Sequence, residues 1–563
     1  MKHLTTPTSI SDVPGRTRMT NSHRIFVFGT VGALLLGACG KKPAAPEPHH
    51  VGAVSTVDAA ATAPDAASTP SNADALPSNA DALPSNADAV APDGSSESFD
   101  RSKRPTPTAI AELKVPVPET FTLDNGLQVY LLTTDTLPTV TMTFEFDVGI
   151  ANDPPDKVGL ASVCFDLYSE GTERLDKVHW SEALADHAVS LYSPAGLETS
   201  VVKLESLVSE LDPGLDLLAE LLTSPGMRKS DFDRIIADRK ASLTQSRGTA
   251  NGVSSRLFGS LVWGEGHPYG PVQTDKHLDA MKLADCKAWV AQLRPDGARL
   301  WVAGKVTRES LSAALNQRLA KWTGKAPVSK AIAAAPKASG TLFAVQIDGA
   351  VQSMVIVADP GPMRTAEDYE ATHLMAQIFG GGFASRVNMN LREAKGYAYG
   401  SSGRFSYRKG GSQLSISASV ESSTTALSLR EISSEIHKMR DTLAIPEELL
   451  RERDGALLAL PARFAQASDA LDELRAINFF GLPFTWFATY QDHLKAVDLA
   501  AIQTAAKAHL APGEVVVLVV GDLTKPAKDA EGKTIRDELQ KLADEKVFGS
   551  GGLVLLDTDG QRL

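Results

Sequence analysis

The sequence predicts an α+β protein of two homologous domains, each a mainly antiparallel sheet packed with helices. Three observations carry that expectation. A turn at Asn125-Gly126 leads into Leu127–Leu132 and, after Leu137-Pro138, into Val140, Met142, Phe144, Phe146 and Val148 alternating with polar residues. Period two with one apolar face is the pattern of paired strands. Helical stretches at 158–168, 180–187 and 204–222 follow, so strands and helices mix without regular alternation. The chain also repeats itself. Lys276-His277-Leu278-Asp279-Ala280-Met281-Lys282-Leu283-Ala284, a helix and Leu300–Val306 correspond to Asp492-His493-Leu494-Lys495-Ala496-Val497-Asp498-Leu499-Ala500, a helix and Leu518–Leu523. The spacing suits a whole domain rather than a solenoid unit.

At 563 residues the chain exceeds one hydrophobic core, and 43% hydrophobic with 22% charged residues is ordinary globular composition. A net charge of −12 argues against nucleic acid or an anionic membrane surface as the main partner. The three cysteines, Cys39, Cys164 and Cys286, are too few for a disulfide framework. An odd count in an exported chain asks for a special role for one of them.

Cys39 has such a role. Lys2, Arg16, Arg18 and Arg24 precede an apolar run, Ile25–Leu36, which has the length of a signal-peptide core and is too short to span a bilayer stably. It ends in Leu36-Gly37-Ala38-Cys39, which resembles a bacterial lipobox, implying cleavage before Cys39 and its acylation. Gly40 in place of Asp is what the resemblance associates with the outer membrane, so the expected location is the envelope, lipid-anchored on the periplasmic face. Met19 is an alternative start to Met1. Residues 1–39 therefore read as signal peptide. Residues 40–114 read as a disordered tether: Ala-, Pro-, Ser- and Asp-rich, repeating Leu-Pro-Ser-Asn-Ala-Asp-Ala, with too few large apolar side chains to offset ordering entropy. The His49-His50 pair within it is expected to be solvated. The two domains are expected at 115–330 and 331–563, joined around 327–336. In the second, Leu414, Ile416, Ala418 and Val420 alternate as a strand, and Leu429, Ile432, Ile436 and Met439 mark one helix face.

Gly159-Leu160-Ala161-Ser162-Val163-Cys164-Phe165-Asp166-Leu167-Tyr168-Ser169-Glu170-Gly171-Thr172 resembles the zinc helix of the insulinase/pitrilysin family of metallopeptidases (inverzincins), where Gly-Leu-Ala is followed by His-x-x-Glu-His and then Gly-Thr. The frame is kept, but Ser162 and Asp166 stand at the histidine positions and Phe165 at the glutamate. In the family the histidines hold zinc, the glutamate activates its water, and a glutamate on a later helix completes the ligand set. The matching later segment, residues 231–243, has no glutamate. Ser162 is a poor ligand, Phe165 cannot accept a proton and Asp166 alone leaves too few donors. His179, His187, His267, His277 and His373 form no pair at metal spacing, and Cys164 reads as a buried small hydrophobe. His267-Pro268-Tyr269-Gly270 resembles a family turn.

Further on, Gly380-Gly381-Gly382-Phe383-Ala384-Ser385-Arg386-Val387-Asn388 and Leu391-Arg392-Glu393-Ala394-Lys395-Gly396-Tyr397-Ala398-Tyr399-Gly400 are similar to the family's second-domain signature, in which an arginine and a tyrosine face the zinc. Arg392 and Tyr399 match them. A guanidinium and a phenol can donate hydrogen bonds to a carbonyl becoming an oxyanion; the alternative is that they hold the glycine loop to its helix. The resemblance implies half of a clam-shell chamber, with no cofactor in this chain and zinc in a partner subunit. The substrate is then a peptide or unfolded polypeptide, and membrane contact is through the lipid anchor alone. A non-proteolytic scaffold or peptide-binding role is the other function it leaves open.

Overall fold

The computed structural model describes residues 113–563, apart from 329, 330, 335, 337 and 339. The signal peptide, the Cys39 lipobox, His49-His50 and nearly all of the tether lie outside the described residues.

The first half has six strands: β1 (Glu119–Thr122), β2 (Gln128–Thr133), β3 (Thr139–Phe146), β4 (Ser190–Tyr192), β5 (Ser200–Leu207) and β6 (Arg299–Gly304). Its helices are α1 (Leu160–Tyr168), α2 (Lys177–Asp186), α3 (Leu211–Thr223), α4 (Lys229–Arg247), α5 (Ala250–Trp263), α6 (Asp275–Ala280), α7 (Leu283–Val290) and α8 (Arg308–Arg318). The second half has β7 (Thr341–Gln346), β8 (Gln352–Gly361), β9 (Ala398–Arg408), β10 (Gly411–Glu421), β11 (Val516–Gly521) and β12 (Leu553–Leu556). Its helices are α9 (Tyr369–Ala376), α10 (Arg386–Asn388), α11 (Thr425–Asp441), α12 (Pro446–Ala459), α13 (Ala467–Phe479), α14 (Trp486–Ala496), α15 (Leu499–His509) and α16 (Ile535–Asp544).

The sheets run β1-β2-β6-β3-β5-β4 and β12-β7-β11-β8-β10-β9. Five positions correspond in order: β2 with β7, β6 with β11, β3 with β8, β5 with β10 and β4 with β9. The architecture is thus α+β with two related sheets. Both are mixed, since β2 pairs with β6, and β7 with β11 and β12, in parallel, while the other pairings are antiparallel.

Burial follows the residue pattern. In β3 Val140, Met142, Phe144 and Phe146 point into the first core, whereas all six residues of β11 are buried because both faces of that strand are covered. The cover comes from the opposite half. Val253 and Leu257 of α5 pack on Ile356 of β8 and on Leu518 and Val520 of β11. Conversely α13 lies on β2 and β6 of the first sheet. Each half therefore seals the other's sheet with one helix, which makes the two mutually dependent for burial.

One expected helix is corrected. Residues 204–222 divide into the end of β5, a 3-10 turn (Val208–Glu210) and α3. Leucines at 204, 207, 211 and 215 have helical spacing, but Val202, Leu204 and Ser206 alternate inward, and pairing with β3 from Ser200 to Leu207 takes precedence.

Candidate functional site

Helix α1 starts at Gly159, whose φ of +90° suits glycine and where a Cβ would strike Gln273. The Asp153 carboxylate caps it, accepting hydrogen bonds from Gly159 N (2.8 Å) and Ala161 N (2.9 Å). Burial pushes this carboxyl up to about 7 against the pull of those N–H groups.

The three altered positions have separate fates. Phe165 is core, its ring edge-on to Trp289 at 4.9 Å and near Tyr168 at 5.9 Å. Ser162 and Asp166 lie one turn apart on the more open face. Asp166 is bound by Arg239 of α4, which donates from Nε (2.9 Å) and Nη2 (2.5 Å). Burial raises the Asp166 carboxyl above its ordinary range and Arg239 opposes the rise. At the C-terminal end Glu170 pairs with Arg234 of α4 (2.7 Å) and Lys177 (2.9 Å). A fixed guanidinium thus neutralises the carboxylate on the face where the family pattern calls for a cation. These residues do not fit zinc. Among the described residues no three His, Cys, Asp or Glu side chains are grouped to hold a metal.

Cys164 is not a free apolar filler. It forms a disulfide with Cys286 of α7, with Cα atoms 4.9 Å apart, fastening α1 to α7. Two thiols far apart in sequence left this pairing open until the fold placed them together. The histidines are dispersed: His179 on Asp176, His187 on Glu210, His267 on Ala333 O, His277 on Thr274, and His373 stacked on Tyr369.

In the second half α9 passes into a π-helical turn, Gln377–Gly381, then the glycine loop, α10, and a second π-helical stretch, Met389–Ala394. Such distortions recur at functional sites. Gly380 lies against Gly403 of β9, where a Cβ would come within 2.7 Å of the Gly403 Cα. The segment is anchored by residues other than the predicted pair. Arg386 makes a two-pronged bond to Glu448 (2.7 and 2.6 Å). Asn388 donates to Phe383 O (2.7 Å) and accepts from Ser401 N (2.9 Å), and Asn390 donates to Glu431 and Glu435.

Arg392 and Tyr399 meet. The Arg392 Cζ lies 5.2 Å from the Tyr399 ring centroid and 4.7 Å from that of Phe383, and its Nε is 3.4 Å from Glu393. Tyr399 is 85% exposed and Phe383 63%, too open for either ring to be core packing. Next to Tyr399 begins an open groove of about 330 Å³ lined by Gly400, Ser401, Ser402, Ser417, Ser419 and Met354. Sequence reasoning gave no role to Arg239, Phe383 or Asn388; the last two lie in the quoted Gly380–Asn388 segment, whereas Arg239 had no local signal.

Residues 128–249 match the family described as insulinase (peptidase family M16), and residues 281–455 match the model described as the peptidase M16 inactive domain. The chain belongs to the insulinase-type peptidase family. It is similar to the non-peptidase homolog YmxG of Helicobacter pylori, at 23% identity over 66% of this chain and 86% of that protein. The insulinase-type fold recurs in the crystal structure of a peptidase M16 inactive domain from Pseudomonas fluorescens (TM-score 0.67, 21% identity, 74% of this chain and 99% of that one). It recurs again in the periplasmic protease PqqL of Escherichia coli (TM-score 0.60, 14% identity, 74% of this chain and 48% of that one). With its metal helix emptied, this chain is a non-catalytic insulinase-type family member.

Proposed function

We propose that this chain is the metal-free subunit of a heteromeric envelope peptidase, presenting Arg392 and Tyr399 to a peptide whose carbonyl is attacked at zinc held by a partner subunit. One asymmetry carries the reading: the metal helix is filled by an ion pair and a core phenylalanine, while an exposed Arg–Tyr pair remains beside an open groove. Arg386, Asn388 and Asn390 already secure the glycine loop, which leaves Arg392 and Tyr399 available for a ligand. The pair's donors would act as a carbonyl oxygen gains charge, each worth a few kcal/mol when pre-placed.

The envelope location draws support from two sides. The Cys164–Cys286 disulfide suits an oxidising compartment, and PqqL is a periplasmic protease. Among the described residues no helix is long and apolar enough to cross a membrane. The proposed anchorage, a lipid on Cys39, rests on the Leu36-Gly37-Ala38-Cys39 resemblance alone.

Co-expression with a zinc-bearing relative encoded beside it, followed by a peptide-cleavage assay, tests the proposal. Cleavage should need both chains and fall with Arg392→Ala or Tyr399→Phe. Unchanged turnover in both variants would sink it. The name of the Helicobacter pylori relative, a non-peptidase homolog, favours a second reading as a peptide-binding scaffold. Peptide capture without cleavage in every pairing would select that one.

A further inference from the structure

Arg364, in the loop between β8 and α9, is 9% exposed, and no carboxylate or other hydrogen-bond acceptor among the described residues meets its guanidinium. It lies instead on aromatic faces, with Cζ 3.5 Å from the Tyr369 centroid and 4.4 Å from that of Trp486. Tyr407 packs on Tyr369 at 5.4 Å, and its hydroxyl is sealed from solvent without a partner. Three neighbouring acids are engaged elsewhere: Asp368 with His509 at 2.6 Å, Glu473 with Arg463, and Glu370 near His493 at 3.7 Å. His373, stacked on Tyr369, is pushed down to about 4 by burial, with Arg463 and Arg364 adding to the effect, so near neutral pH it adds no positive charge beside Arg364.

Removing a guanidinium from water without an ion partner is costly, and buried polar groups are normally satisfied. Ring contact offsets part of that cost but occupies the faces of the guanidinium and leaves its N–H edge unserved. Unlike Arg228, Arg256 and Arg408, Arg364 has no nitrogen among the fully sealed, unpartnered atoms, so its edge is reachable from outside. A planar two-oxygen acceptor matches such an edge in bidentate fashion.

We propose that the N–H edge of Arg364 is a carboxylate-binding site, separate from the Arg392–Tyr399 pair. Its ligand is either a small free carboxylate or the C-terminal carboxylate of a peptide. Calorimetric titration and thermal melting of the full chain distinguish these, using sodium acetate, and acetyl-Ala-Ala-Ala with a free or an amidated C-terminus, against sodium chloride at matched ionic strength. Saturable binding of acetate, or of the free-acid but not the amidated peptide, supports the site and identifies the source. Arg364→Met should weaken it more than about tenfold, the loss of a charged hydrogen-bond donor. Arg364→Lys, which keeps the charge but not the two-pronged N–H edge, should weaken it by a smaller factor and serves alone if Arg364→Met does not fold. Without carboxylate, Arg364→Met should melt no lower than wild type, because no partner is orphaned; a purely structural stacking role predicts a drop. Absence of saturable binding by both probes, an equal response to chloride, or wild-type affinity in the variants overturns the proposal.

Discussion

Arg239 of α4 donates from Nε and Nη2 to one oxygen of Asp166, tying α4 to the helix that in active relatives carries the metal. Both side chains are partly open to solvent, at 31% and 44%, so the pair is worth the small amount usual for such contacts. Its significance is positional, because a protein-borne cation on this face meets the carboxylate with no metal to supply.

Arg239→Met is therefore expected to cost only about 0.2–1 kcal/mol near neutral pH. The loss has a pH signature. A carboxyl raised in the folded state favours folding at low pH, and that advantage fades as pH climbs through its folded value. The variant removes the group that restrains the rise, so its deficit should be small near pH 4, grow toward neutrality and then level off. Chemical unfolding at several pH values checks this; a deficit independent of pH contradicts it.

Asp153 gives a second pH test. Its carboxyl is raised to about 7 in the folded chain, so its stabilising contribution is complete below the ordinary value of 3.8 and is lost as pH rises toward neutrality. An asparagine in its place cannot titrate and keeps an oxygen for one of the Gly159 and Ala161 N–H groups, which donate to separate oxygens of Asp153, so it carries a pH-independent cost. Asp153→Asn should gain on wild type between these values and run parallel above them, as read by unfolding curves across pH.

The disulfide closes a loop with a sequence separation of 122 between Cys164 and Cys286. Loop-closure entropy for such a span, and the cost of removing native disulfides generally, predict that replacing both cysteines with alanine destabilises the chain by about 2–5 kcal/mol. Intact mass before and after alkylation with reductant should reveal the bond, and denaturant midpoints should show the loss. Reactive free thiols in the native, unreduced protein would contradict the pairing.

Arg299 lies between two acids, Glu145 at 3.0 Å and Asp147 at 2.8 Å, and the Glu145 side chain is only 2% exposed. Trp301 Nε1 and Arg475 of α13 also approach Glu145, so the cluster joins the halves. Arg299→Met leaves a buried carboxylate undercompensated and should cost about 3–5 kcal/mol, measurable by thermal or denaturant unfolding. A change within about 0.5 kcal/mol, the usual range for surface substitutions, would show the cluster to be replaceable.

The legible parts of this fold are those with a visible period. β2, β3, β10 and α11 were read from alternation or from one apolar face, and the repeat around His277 and His493 anticipated the matching strand orders. β5 was hidden because its leucines also fit helical spacing. The exchange of α5 and α13 between halves has no local signal, since an apolar helix face does not say which sheet it covers. At the site, the departure of Ser162, Phe165 and Asp166 from the resembled family pattern is visible in the sequence, but the Arg239–Asp166 ion pair is not: a charge on α4 becomes meaningful only once α4 crosses α1. Likewise the segment holding Arg392 and Tyr399 was recognisable, whereas Phe383 joined them only through the loop's return.

Metal content under native conditions tests the central claim most directly. The isolated chain should carry no stoichiometric zinc and cleave no peptide, and the purified complex with its partner should carry zinc that is lost on changing the partner's ligands alone. A stoichiometric divalent ion in the isolated chain, released by replacing Ser162 and Asp166 and accompanied by peptide hydrolysis, would contradict the account.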